Sequence, residues 1–107
     1  MELYKLTSAE LENKVYDLEE SCLVIFFRKN CHVCEEVKPM LEDLAEDYSE
    51  SPFCFYAADV EEQPNLTLRF PIKGTPTILF FSKGEYQGKL AGGAEEEEVT
   101  EMIESLS

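Results

Sequence analysis

The chain has 107 residues, of which 23 are acidic and nine basic, for a formal net charge of −14. That balance excludes nucleic acid and anionic lipid as partners, since both need clustered cations, and points to a solvated acidic surface that favours partners with basic faces. Hydrophobic residues make up 44% and charged residues 30%, the composition of a folded globular chain sized for one domain, residues 1–107, without a second core.

The first residues, Met1-Glu2-Leu3-Tyr4-Lys5-Leu6, have no basic and apolar leader pattern, and the longest apolar run, Leu23 to Phe27, is too short to cross a bilayer. A cytoplasmic monomer without membrane attachment is the expectation. In that compartment four cysteines point to catalysis or metal binding more than to a disulfide framework.

In chain order, Glu2 to Leu6 suits a short edge strand. Thr7-Ser8-Ala9-Glu10 has the Thr-x-x-Glu form of a capping box, and Leu11, Val15 and Leu18 behind it predict a helix over about Ser8 to Glu20. Cys22 to Phe27 is an unbroken apolar run of the kind buried on both faces of a sheet. The period then changes. Val33, Val37, Met40, Leu41, Leu44 and Tyr48 trace one face of a long helix from about Cys31, with Pro39 inside it as an expected kink.

After Ser51-Pro52, Phe53 to Val60 reads as a second central strand. Pro64, Leu66, Leu68 and Phe70 suggest a short irregular helix opened by proline. Pro76 to Phe81 and Tyr86 to Leu90 read as strands joined by a tight Lys83-Gly84 turn. Gly92-Gly93 breaks the second of them. Val99, Met102, Ile103 and Leu106 mark a last helix whose start, Glu95 to Glu98, places carboxylates at the positive end of the helix dipole. The order β-α-β-α-β-α-β-β-α predicts an α/β fold with a mixed sheet, parallel where helices connect strands and antiparallel in the late hairpin.

The chemistry concentrates at Cys31-His32-Val33-Cys34, where a buried strand hands over to an amphipathic helix. A two-residue spacer on a first helical turn brings two sulfurs within disulfide range. A thiol there also faces unpaired N–H groups and the positive end of the helix dipole, which stabilise a thiolate. Cys31, at the helix edge, is the expected exposed nucleophile, and Cys34, one turn inside, the resolving thiol. Arg28, Lys29 and Lys38 flank the motif, whereas Glu35 and Glu36 follow it and oppose a second negative charge.

A lone Cys-x-x-Cys leaves redox chemistry, a metal site and accidental core cysteines open. Structural zinc usually takes two such pairs, whereas Cys22 and Cys54 stand alone in apolar strand runs, where thiols pack as small hydrophobes. His32, the only histidine, and Val33 fill the spacer and are the candidates for tuning the couple; a protonated imidazole favours an adjacent thiolate.

With these elements in place the chain resembles the thioredoxin family over nearly its whole length. The residues that carry the resemblance are Cys31 and Cys34 after a buried strand, Pro39 in the next helix, Gly74-Thr75-Pro76-Thr77 before a strand, Lys83-Gly84 and Gly92. The resemblance implies the thioredoxin fold and a cis Thr75–Pro76 peptide bond lying against the cysteines. It also implies a substrate groove along that loop and Ala91-Gly92-Gly93, with Asn30, Thr75, Pro76 and Gly92 in contact with substrate. Two departures stand out. Family members typically read Trp-Cys-Gly-Pro-Cys; this chain reads Asn30-Cys31-His32-Val33-Cys34 and has no tryptophan. The family's buried acid and its lysine neighbour correspond here to Ile25 and Ala57, a paired loss that leaves no orphan charge.

The expected function is thiol–disulfide exchange through Cys31 and Cys34 on protein disulfide substrates, without cofactor or metal, supplied by a thioredoxin-reductase-like electron donor. Two alternatives remain: a redox-sensitive binding module with little turnover, and a metal or iron–sulfur carrier using the cysteine pair.

Overall fold

The computed structural model describes residues 2–70 and 72–106. Five strands form one sheet: β1 (Tyr4–Lys5), β2 (Cys22–Phe27), β3 (Cys54–Asp59), β4 (Thr77–Ser82) and β5 (Glu85–Ala91). They lie in the order β1-β3-β2-β4-β5, parallel among β1, β3 and β2 and antiparallel from β2 through β4 to β5. The helices are α1 (Ser8–Glu12, continued by a π-helical turn over Asn13–Asp17), α2 (His32–Asp47), α3 (Leu66–Arg69) and α4 (Glu96–Ser105). This is the mixed α/β sheet expected from the element order, and the thioredoxin fold that the family resemblance implied.

Strand alternation divides the core in two. Leu23, Ile25 and Phe27 of β2 meet Val37, Leu41 and Leu44 of α2 and Val99 and Ile103 of α4. Cys22, Val24 and Phe26 point the other way, toward Leu11 and Val15 of the first helix and Leu66 of α3. All six β2 residues are buried, which is why that run is apolar without alternation.

The local signals explain the element ends. Thr7 and Glu10 form the capping box at α1, and Glu95 and Glu98 form one at α4. Lys83 (φ 51°) and Gly84 (φ 81°) make the β4–β5 turn, and a Cβ on Gly84 would stand 2.7 Å from the Val15 carbonyl oxygen, too close to tolerate.

Two expectations shift. The helix expected over Ser8 to Glu20 is α-helical only to Glu12, closes in the π turn, and ends in left-handed backbone at Glu19 (φ 51°). Leu68, expected to share a run with Leu66 and Phe70, is 87% exposed, because α3 is a single turn that can bury only one side. Helix α2 spans His32–Asp47 with Pro39 inside it, on the exposed side. Among the described residues no helix is long and apolar enough to cross a membrane.

Candidate active site

Strand β2 ends at Phe27, and Arg28, Lys29 and Asn30 carry the chain to α2. Asn30 adopts left-handed backbone (φ 58°), which asparagine tolerates better than most residues, and turns Cys31 into the N-cap position. Cys31 and Cys34 are joined by a disulfide, with their Cα atoms 5.2 Å apart. The Cys34 backbone N–H donates to the Cys31 Sγ at 3.2 Å. On reduction that same N–H, at the positive end of a 16-residue helix, faces the Cys31 thiolate.

The second contact comes from the loop before β4. The Thr75–Pro76 peptide bond is cis, as the family resemblance implied. The Thr75 hydroxyl donates to the Cys31 Sγ at 3.7 Å and accepts from the Arg28 Nε at 3.2 Å. Gly92, in a left-handed conformation (φ 79°) that favours glycine, donates its N–H to the Pro76 carbonyl at 2.9 Å and ties the next loop to this one. Gly93 lies against Val33, a Cβ built on it standing 3.5 Å from Val33 Cγ1. Asn30, Cys31, Val33, Thr75, Pro76 and Gly92 thus gather at one end of the sheet.

His32 departs from that gathering. Its side chain is 86% exposed and its Nε2 lies 3.4 Å from Glu36 Oε1, one helical turn on, so the imidazole faces a carboxylate and solvent rather than a sulfur. Cys31 is also less open than expected, 7% exposed against 2% for Cys34. The Thr75 loop covers it, while the order of access remains as expected.

Ile25 and Ala57 are register partners on β2 and β3, both buried in the cluster that contains the two cysteines. Sequence reasoning missed Asp59, which is 1% exposed and lies two residues beyond Ala57 on the same face of β3. Its carboxylate accepts from the backbone N–H groups of Glu61 (2.8 Å) and Glu62 (3.3 Å). The signal available was Asp-x-Glu-Glu at a strand end, the form of a side-chain-capped turn.

Cys22 and Cys54 are register partners on the opposite face of the sheet, so the four thiols form no single ligand set. Burial, with lesser help from the charges of Glu20 and Cys54, pushes the Cys22 thiol up to about 12. Cys54 corrects the expectation of two buried hydrophobes: it is half-buried, having just left the Ser51-Pro52 turn, and its thiol donates to the Pro52 carbonyl at 3.5 Å. Its thiol is also raised, mainly by burial. Tyr56, hydrogen-bonded to Glu20 at 2.5 Å, is raised chiefly by burial and then by that bond.

The thioredoxin family model matches residues 2–105. The chain belongs to the thioredoxin family. It is 30% identical to thioredoxin from Staphylococcus aureus over 104 residues, covering 97% of both chains. It is also 30% identical to the chloroplastic thioredoxin M4 of Arabidopsis thaliana over 104 residues, covering 97% of this chain and 53% of that one. The chain therefore spans about half the length of the chloroplastic thioredoxins it matches. Among solved structures, a mutant thioredoxin of Halobacterium salinarum superposes with a TM-score of 0.85 at 26% identity, covering 98% of this chain and 90% of that one. The thioredoxin of Fasciola hepatica, at 23% identity, shares the fold with a TM-score of 0.86, covering 98% of this chain and 100% of that one. Family membership together with a Cys31–Cys34 pair at disulfide distance supports thiol–disulfide oxidoreductase chemistry.

Proposed function

We propose that the protein reduces disulfides in protein substrates, with Cys31 as nucleophile and Cys34 as resolving thiol. The Cys31 thiolate attacks one substrate sulfur, a Cys31–substrate disulfide forms, and the departing substrate sulfur leaves as thiolate and takes a proton. Cys34 then loses its proton and attacks the Cys31 Sγ. The second substrate thiol is released, and two electrons have passed from the Cys31–Cys34 dithiol to the substrate. The observation that carries this is the Cys31 Sγ held between the Cys34 N–H and the Thr75 hydroxyl, two donors that favour its thiolate. The less accessible Cys34, at 2% exposure, fits the internal step.

In this reading Asn30, Thr75, Pro76 and Gly92 form the substrate groove. The redox potential is set by the helix end, by Val33 and by the exposed His32. A thioredoxin-reductase-like protein returns the electrons, and the chain acts as a cytoplasmic monomer of one domain, residues 1–107. Turbidity from insulin reduction by dithiothreitol tests it: the protein accelerates precipitation, and the Cys31→Ser variant does not. A redox-sensitive docking module is the second reading, favoured by the Ile25–Ala57 pair in place of an ionisable one. It predicts stable complexes that depend on the oxidation state, without catalysed insulin reduction.

A further inference from the structure

In an acidic chain the cations are unevenly placed. Of the nine basic residues, Lys5, Lys14 and Arg69 are paired with Glu62, Glu20 and Glu12, away from the disulfide. Arg28, Lys29, Lys38 and Lys73 instead line the hollows at the cysteine end. Among the described residues no carboxylate side chain forms an ion pair with Arg28, Lys29, Lys38 or Lys73. On either side of Thr75 the surface forms two adjoining depressions of about 400 and 340 Å³. Arg28 and Lys73 line the first and Lys73 also borders the second, and among the described residues neither is lined by a carboxylate side chain. The carboxylates that follow the motif, Glu35 and Glu36, belong to α2, and only Glu35 borders the hollow over Cys34.

We propose that this groove selects disulfides flanked by aspartate or glutamate: the partner is a protein segment with acidic side chains within a few residues of its reactive cysteine. The proposal rests on the oxidoreductase reading and adds its substrate class. Arg28 and Lys73 are the specificity-determining residues. Exposed cations without carboxylate neighbours keep their full field at short range, and a charge of one sign in a groove raises the local concentration of the opposite one. The whole molecule, at −14, predicts the reverse preference, so the sign of the selectivity separates local from global charge.

The test uses the pre-reduced protein and three peptides with the same disulfide, carrying aspartate, asparagine or lysine on both sides of the reactive cysteine. Rates are measured by single-turnover quench at low and high salt. At about 20 mM ionic strength the aspartate peptide is reduced about 10-fold faster than the asparagine peptide, and the lysine peptide is slowest. At about 1 M salt the spread falls below about 2-fold. The Lys73→Gln variant brings the aspartate and asparagine rates together. Equal rates at low salt, a lysine preference, or an aspartate preference that survives in the variant would overturn the proposal while leaving the oxidoreductase reading intact. If none of the three is reduced, that reading fails and the proposal fails with it.

Discussion

Ile25 and Ala57 face each other across the parallel β2–β3 pair, inside the cluster that holds both active-site cysteines. No ionisable side chain stands at either position. The nearby buried carboxylate, Asp59, already accepts two backbone N–H groups. Neither of these two core positions beside the pair can therefore take the proton that Cys34 must lose.

Resolution of the mixed disulfide should accordingly be slow near neutral pH and accelerate as pH rises, because solvent hydroxide must do the work of a base. Ile25→Asp should speed that step by about 10-fold or more near neutral pH and flatten its pH dependence. It should also destabilise the fold by about 1–3 kcal/mol, the cost of a buried polar group without a partner. Stopped-flow measurement of the resolution step in both proteins decides this, and a fast, pH-independent wild type would reveal another base.

Cys34→Ser should accumulate mixed disulfides with substrate proteins, and Cys31→Ser should accumulate none. The asymmetry follows from Cys31 at the N-cap and Cys34 inside the first turn. Non-reducing gels of the two variants after incubation with insulin read it directly, and equal trapping by both would reverse the assignment.

Thr75→Val keeps the shape of the loop but removes the hydroxyl that donates to the Cys31 Sγ and accepts from Arg28. One such hydrogen bond contributes about 0.5–1.5 kcal/mol, so alkylation of Cys31 in a Cys34→Ser background should slow by about 2- to 10-fold at pH 7. The deficit should close at high pH, where the thiolate forms without help. A rate loss constant across pH would mean that Thr75 acts by position alone.

Cys22, raised to about 12, should resist alkylation in the native protein at pH 8, where its thiolate is about 10⁻⁴ of the population. Cys54, half-buried, should react first. The linkage has a definite sign. A thiol whose folded value is raised stabilises the fold fully below its unfolded value near 8.5, and that contribution disappears as pH climbs toward 12. Tyr56 is shifted the same way, so both groups steepen alkaline unfolding. Cys22→Ala should flatten denaturant-measured stability between about pH 9 and 12. An unchanged slope would show that Cys22 is less buried in solution.

Much of this was legible in the chain because local chemistry and fold agree. The unbroken Cys22–Phe27 run, the helical period from Val33 to Tyr48 and the Thr7–Glu10 capping box each encode one element. Cys31 and Cys34 could be placed because a strand-to-helix junction is itself a local pattern. What stayed hidden depends on contacts between distant segments. The burial of Asp59 follows from the turn it caps and the strands beside it. His32 turned outward because the first turn of α2 offers its side chain Glu36 rather than a sulfur. Arg28 and Lys73 come from separate stretches, and only the folded sheet brings them to one groove.

The sheet keeps the two thiol pairs on opposite faces, with Cys22 and Cys54 free while Cys31 and Cys34 are joined. Each molecule thus carries its own reference channel. Counting free thiols after unfolding gives two for the oxidised protein and four for the reduced one, so a plain mass label can report the redox state of a mixed population without a substrate, an electrode or a standard.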